Sequence, residues 1–406
     1  MEALASCSAG LLLLTATPEQ IGQASHFARL RLLDPSRFHD RESFREEESQ
    51  YRALSDMADA LEKGEIPPDL PADLDASLPS NQLIEQLLDR HGTGRVLFRN
   101  TRAAVEGFPQ RHLPRYPLPQ PEQYALAQVD LEERLHPELP YIDDSWLDFD
   151  PRVSWLEQTL KTLRPEKVLV ICANAGTAVA LEHHLQMRAG IRSAAFYEGL
   201  SIIERDRAAA YFADETGGAQ TLVCSEIGSE GRNFQFAHHL ILFDLPLNPD
   251  LLEQRIGRLD RIGQLHDVQI HVPYLEGSAQ ETLLDWYDRG LDLFRDSCSA
   301  GYMIFQSFSD RLLPQLEQRN EDFDGLLTDS AEFTLRTRAE LREGRDRLLE
   351  RNSCKREVAD GLIEEIQSLE SGDTLEHYLE ALCEAFGVDQ EFHSEHTLIL
   401  RPSEHM

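Results

Sequence analysis

The sequence predicts an α/β fold centred on a parallel sheet covered by helices on both faces. Two observations carry the prediction. Between residues 151 and 290, five short apolar runs alternate with helical stretches, which is the spacing of βαβ units. Runs such as KVLVICA (167–173) and HLILFDL (239–245) are almost continuously apolar, as strands buried on both faces are. Sheets of this kind put their working residues in the loops after the carboxyl ends of the strands.

In chain order, the first signal is LLLLTATP at 11–18. Four leucines suit a buried strand. Thr17 then stands where a helix N-cap belongs, with Pro18 at the first helical position. No other strand candidate lies nearby, so this strand is expected to have lost its sheet, the chain starting in the middle of a domain. Residues 20–90 read as mainly helical and acidic, broken by IPPDLPADL at 66–74. Pro109, Pro114, Pro117, Pro119 and Pro121 exclude a helix and predict an extended crossover or linker. An acidic stretch without clear period follows to 150.

Strands are then expected at 167–173, 191–197, 221–225, 239–245 and 268–272. Helices are expected at 175–188, 201–214, 249–262 and from about 278. Residues 290–370 read as helical, with i, i+4 charge pairs around Arg336 to Arg356. A helix near 374–386 and a strand at Thr397–Leu400 complete the pattern.

Charge limits the partners. The 406 residues carry 39 basic and 72 acidic side chains, a net −33. That excludes nucleic-acid binding through bulk charge and leaves only a local basic strip. Leu11–Leu14 is far shorter than the roughly 20 apolar residues of a membrane span. The six cysteines lie far apart with no CxxC pair, so a disulfide framework and a zinc site are disfavoured and a reduced cytoplasm fits. His183–His184 is not HExxH, and His393 and His396 offer at most an adventitious pair, so no metal site is expected. Trp146, Trp155 and Trp286 are expected as packing anchors, and Cys172 and Cys224 as small core residues.

Three strings carry chemistry. Gln254-Arg255-Ile256-Gly257-Arg258-Leu259-Asp260-Arg261-Ile262-Gly263-Gln264 follows a βα unit. Arg258 and Arg261, three apart on the expected helix, would share a face and clamp the charge of a transferring phosphoryl group. The bland alternative is a surface helix with solvated arginines. Ser225-Glu226-Ile227-Gly228-Ser229-Glu230-Gly231-Arg232-Asn233 follows a buried strand, and its small residues let backbone N–H groups approach a ribose or phosphate. An ordinary Gly-bearing turn accounts for it equally well. Thr15-Ala16-Thr17-Pro18 is the third, and a capped helix start suffices to explain it.

In this order the three strings resemble motifs III, V and VI of superfamily 2 helicase-like ATPases. The RIGQ ending is similar to that of the Swi/Snf branch, which translocates on duplex DNA rather than separating strands. FRNTR (98–102), FDPRV (149–153) and EGLSIIERDRAAA (198–210) narrow the resemblance to bacterial ATPases associated with RNA polymerase. The resemblance is densest from 149 to 290. It implies two RecA-like lobes with ATP and Mg²⁺ between them, and recycling of RNA polymerase during transcription in a bacterial, nucleoid-associated cytoplasmic setting. By the same resemblance Arg258 and Arg261 match arginine fingers, and Gln254 matches the opening glutamine of motif VI on the nucleotide side. Gly228, Glu230, Gly231 and Asn233 match the loop that faces ribose and nucleic acid. Arg232 stands where leucine is more usual. Thr15 and Thr17 match the link between the two sites. Arg205 matches a position near the nucleic-acid path, with a salt bridge to Glu204 or Asp206 as its alternative.

The departures are equally informative. The sequence has no GxxxxGK[ST] string, no Gly-Lys dipeptide and no DExH or DExD box; Asp214-Glu215 lacks a preceding apolar strand. The expected organisation is therefore a remnant of the first lobe with a helical insertion (1–110), a Pro-rich and acidic linker (111–150), the second RecA-like lobe (151–290), a helical region (291–371) and the start of a C-terminal domain (372–406). Such a chain alone is expected to hydrolyse ATP very poorly. The alternatives are a non-catalytic module that binds polymerase or nucleic acid, and a strand-separating helicase, which the RIGQ ending disfavours.

Overall fold

Seven strands, all parallel where they pair, form the one large sheet in the described residues of the computed structural model. The described residues are 2–14, 23–44, 51–91, 96–97, 107–124, 130–226, 234–298, 300–341, 356–370, 374–394 and 397–402. The chain divides into two compact units, 1–349 and 350–406.

Helices α1 (Glu2–Cys7), α2 (Gln23–Leu33), α3 (Tyr51–Glu62) and α4 (Ser80–Arg90) come first. Leu54, Ala58 and Leu61 of α3 bury against Leu83, Leu87 and Leu88 of α4, at the i, i+3, i+4 spacing that puts them on one face. The run at 11–14 is not a strand: Leu12 and Leu14 are 80% and 86% exposed. A leucine run becomes a buried strand only beside partner strands, and no described strand lies alongside it.

The stretch expected as an extended crossover or linker is extended, and it joins the sheet. β1 (Arg111–His112) and β2 (Arg115–Leu118) both pair in parallel with the last strand of the lobe, Arg111 opposite Val268 and Leu118 opposite Leu275. Proline is tolerated because this is an edge, where Pro117 need not donate to a further strand. After α5 (Leu131–Leu135) and α6 (Pro151–Thr162), the βα alternation runs as expected. Its elements are β3 (Val168–Ile171), α7 (Ala175–Met187), β4 (Ser193–Phe196), α8 (Ile202–Ala213), β5 (Thr221–Cys224), β6 (His239–Leu242), α9 (Pro249–Ile256), β7 (Val268–Leu275) and α10 (Ala279–Asp285). α10 continues as a π turn through Gly290.

The strand order β4-β5-β3-β6-β7 places the reversal at β3, whose carboxyl end lies between those of β5 and β6. Period-2 alternation splits the core in two. Leu169, Ile171, Leu222, Leu240 and Leu242 face the layer of α9, α10, α11 (Gly301–Glu317) and α12 (Phe323–Leu341). Val168, Val170, Val223 and Ile241 face α6 and α7. Helices α11 and α12 thus share the sheet's core rather than standing apart from it. Trp146 and Trp286 are buried as anchors, and Trp155 is partly buried. The described cysteines are free thiols.

The second unit holds α13 (Arg356–Glu370), α14 (Thr374–Phe386) and an antiparallel hairpin of β8 (Val388–Ser394) and β9 (Thr397–Pro402). β8 carries no apolar run, so only its partner was visible in the sequence.

Candidate functional site

The site grows from the carboxyl edge of the sheet at the strand-order reversal. β6 ends at Leu242 and the chain turns through Asp244 into α9, where Asn248 accepts the Asp250 backbone N–H at 2.9 Å and Pro249 starts the helix. The helix was expected to reach 262. It stops at Ile256, with Gly257 as its C-cap. The backbone then tightens: Arg258 and Leu259 donate three residues back, at 3.3 and 3.1 Å. Gly263 takes φ +86°, where a side chain would be strained.

Arg258 and Arg261 therefore do not share a helical face. They sit on successive turns, both half-buried, and Arg261 Nε donates to the Gly257 carbonyl at 3.1 Å. The cause is tertiary. Leu259 is fully buried, and Arg111 of β1 draws Asp260 inward through a 2.6 Å bond from Nε. The same guanidinium holds both oxygens of Glu253, at 3.1 and 3.2 Å, and the Leu293 carbonyl at 3.0 Å. Gln254, half-buried, lies in the last turn of α9 between these fixed points.

Arg255 is the arginine that the sequence reading passed over. It is 1% exposed. Nη1 donates to the Asp244 carbonyl at 2.6 Å and to its carboxylate at 3.1 Å. Nε and Nη2 grip both oxygens of Glu226. Burial would push the Asp244 carboxyl up, but the Arg255 guanidinium and then His136 hold it below its ordinary value. The arginine-bearing turn and the first residues of the Gly-bearing loop are thus tied by one buried fork.

Ser225, at the start of that loop, donates to Glu198 Oε2 at 2.6 Å. Arg205 donates to the carbonyls of Glu198 at 2.7 Å and Leu200 at 3.0 Å. Glu204 is engaged in a capping box with Ser201, so Arg205 finishes the turn before α8 instead of pairing with Glu204. Gly228, Glu230, Gly231, Arg232 and Asn233, like Thr15 and Thr17, lie outside the described residues. Of the expected site residues, Gln254, Arg258 and Arg261 follow one another along the end of α9 and the turns after it, and Arg205 is connected to the loop start through Glu198.

A second buried network lies beside the first. Arg152, 2% exposed, donates to Asp150 at 2.6 Å and to Glu138 at 2.9 Å, and Tyr124 donates to Asp150 at 2.8 Å. Its guanidinium lies 4.4 Å from the centre of the Phe243 ring. Sequence reasoning missed Arg111, Arg152 and Arg255 alike. FDPRV and QRIGR contain two of them, but nothing in the strings says which arginine turns inward.

The helicase conserved C-terminal domain family matches residues 151–263, and the C-terminal family of RNA polymerase recycling proteins matches 267–406. RNA polymerase-associated protein RapA of Pseudomonas putida is 53% identical over the whole chain, which spans 46% of that protein. The RapA proteins of Stutzerimonas stutzeri and Pseudomonas aeruginosa are each 52% identical with the same coverage. The chain thus spans about half the length of the curated relatives it matches. Among solved structures, the C-terminal part of the Fun30 ATPase domain is 18% identical, covering 68% of this chain and 94% of that one at a TM-score of 0.33. Among the described residues no helix is long and apolar enough to cross a membrane. With family models matched over 151–263 and 267–406 and more than half identity to RapA proteins along its full length, this chain belongs to the RapA family of helicase-like ATPases.

Proposed function

We propose that the chain supplies the arginine-bearing lobe of an ATP-driven nucleic-acid translocase that acts with RNA polymerase in the cytoplasm and promotes its recycling. One observation carries the reading: Arg255 ties the start of the Gly-bearing loop to the turn of Gln254, Arg258 and Arg261 at the sheet's carboxyl edge. Such a linkage lets a change at the nucleotide be felt in the loop that faces nucleic acid.

The donors on this turn fit a polyphosphate, because two guanidiniums lie within four residues. They do not fit Mg²⁺, whose usual carboxylate box and phosphate-loop lysine have no counterpart in the sequence. Bound ATP supplies a phosphoryl group for transfer to water. In this reading Arg258 and Arg261 hold its charge and Gln254 the nucleotide side. Gly228, Glu230, Gly231 and Asn233 approach the ribose, while Thr15, Thr17, Arg205 and Arg232 serve the nucleic acid. The phosphate loop and the metal come from a first lobe.

The chain by itself is therefore expected to show hydrolysis near background, and a turnover of a few per second would overturn the reading. In an enzyme reassembled from this chain and a first lobe, Arg258→Ala is expected to cost about 10³ to 10⁵ in rate. Unchanged turnover would dismiss the finger assignment. The missing phosphate loop also favours a second reading, a passive partner of polymerase. Binding of purified RNA polymerase that does not respond to ATP even in the reassembled enzyme would favour it.

A further inference from the structure

His136, Glu138 and Asp244 come from two distant parts of the chain, and their ligand-type atoms all lie within 4.8 Å of one another. His136 and Glu138 follow α5, and Asp244 follows β6. They are 8%, 2% and 2% exposed. Among the described residues this is the one group of three or more such side chains that converges so closely.

Three observations separate the group from an ordinary acidic cluster. The first is His136. Its Nδ1 is buried, has no hydrogen-bond partner, and faces Asp244 Oδ2 at 3.7 Å, beyond bonding reach. A buried polar atom without a partner is costly, so this nitrogen points at something. The second is charge. Glu138, Asp150, Asp244 and Glu226 carry four negative charges, and Arg152 and Arg255 carry two positive ones, as the ion pairs between them show. Four minus two leaves a surplus of two negative charges before His136 is counted, and of these six side chains only Glu226 is more than 2% exposed. The third is support. Glu138 is held by Arg152 and by Thr177 at 3.3 Å, and Asp244 by Arg255 and the Ala173 N–H at 2.9 Å. Metal-binding carboxylates are oriented by bonds of this kind.

We propose that His136, Glu138 and Asp244 bind one divalent cation of the zinc class, which pins the segment after α5 to the end of β6. One imidazole and two carboxylates suit zinc, with a water completing a tetrahedron. Bonds of about 2.1 Å set ligands about 3.4 Å apart, so the three side chains close by a rotamer-scale shift. The Cys172 thiol, pushed well up by burial and by Asp244, lies in the same negative field. The ion would offset the two surplus charges and give His136 Nδ1 its partner. The sequence offered no recognisable ligand set because Asp244 lies 106 positions beyond Glu138 and 108 beyond His136. The inference is independent of the nucleotide reading: the site lies beneath the arginine turn and needs no ATP.

The test uses the full chain, stripped with a chelator and titrated with Zn²⁺ alone. One tight equivalent and a Tm raised by several degrees are expected. His136→Gln should lose both, and His393→Ala/His396→Ala should keep both. If His136→Gln binds Zn²⁺ as the parent does, or the equivalent disappears with His393 and His396, the result is an adventitious ion only and the proposal falls. Zinc absorption spectroscopy on the His393→Ala/His396→Ala chain reads the site even if His136→Gln does not fold. One imidazole nitrogen among oxygens is expected, and two or more imidazoles, or none, would overturn it.

Discussion

Arg111 and Asp260 are 149 positions apart in sequence, yet Arg111 Nε donates to Asp260 Oδ2 at 2.6 Å inside the protein. Through this bond and its fork on Glu253, an edge strand fixes the turn that carries Arg258 and Arg261. Removing one partner of a buried ion pair leaves the others as uncompensated charge. Arg111→Ala should therefore destabilise the chain by about 3–5 kcal/mol. Arg111→Lys should recover only part of this, because an ammonium cannot reproduce the fork. Denaturant unfolding of both variants checks it, and a shift below about 1 kcal/mol for the alanine would contradict it.

Arg255 is expected to be structural, unlike its neighbours in the same string. Arg255→Gln strips Asp244 and Glu226 of their shared cation. The cost should again be about 3–5 kcal/mol. Hydrogen exchange should show loss of protection at Ser225 and Leu245 together, because the fork ties the loop to the turn. Independent loosening of only one of them would show that the two segments are not coupled through this side chain.

Acid stability should report two buried imidazoles. Burial, and then the neighbouring histidines, pushes His239 and His271 down to about 4 from 6.5. The two rings bond each other at 3.0 Å, and Tyr116 Oη meets His271 Nδ1 at 3.0 Å. Between 6.5 and about 4 the unfolded chain takes up protons that the folded chain refuses, so stability falls as pH drops through that window. Asp250 acts with the opposite sign. Burial raises it to about 6, so its contribution is lost as pH rises from 3.8 to about 6. Two imidazoles outweigh one carboxyl, and the net slope should be positive with pH. Unfolding midpoints measured across the window should rise with pH, and His271→Gln should flatten the curve. A flat curve for the parent chain would refute the assignment.

Gly218 closes the turn between α8 and β5. A Cβ there would meet the Tyr211 carbonyl oxygen at 2.2 Å and that of Asp214 at 2.3 Å. These are backbone atoms and cannot rotate away. Gly218→Ala should cost about 1–3 kcal/mol or more. Gly176 has nothing within 4 Å of the corresponding position, so Gly176→Ala is the control and should leave Tm unchanged or raised.

Local residue pattern is enough to specify the βα part of this protein. KVLVICA, TLVCS and HLILFDL are apolar enough to be buried on both faces, and that local property is readable without coordinates. The helices 175–187 and 374–386 were likewise legible, because spacing and caps are local. The strings around Arg258 and Ser225 named a chemistry, though not a geometry.

Contacts made on folding set the remainder. The prolines after 109 argued for an extended crossover or linker, and β1 and β2 join an edge that tolerates proline, through pairing across 157 positions (Arg111 to Val268, Leu118 to Leu275). The helix carrying the arginines ends at Ile256, because burial of Leu259 and the bond from Arg111 outweigh propensity. Leu11–Leu14 is apolar enough for a buried strand but has no described partner strand, and Leu12 and Leu14 stay exposed. Arg111 turns inward through partners more than 140 positions away, while Arg152 and Arg255 meet carboxylates 2 to 29 positions off that the fold buries beside them. Burial and ion pairing are properties of the assembled neighbourhood, and a string of residues does not contain its neighbours.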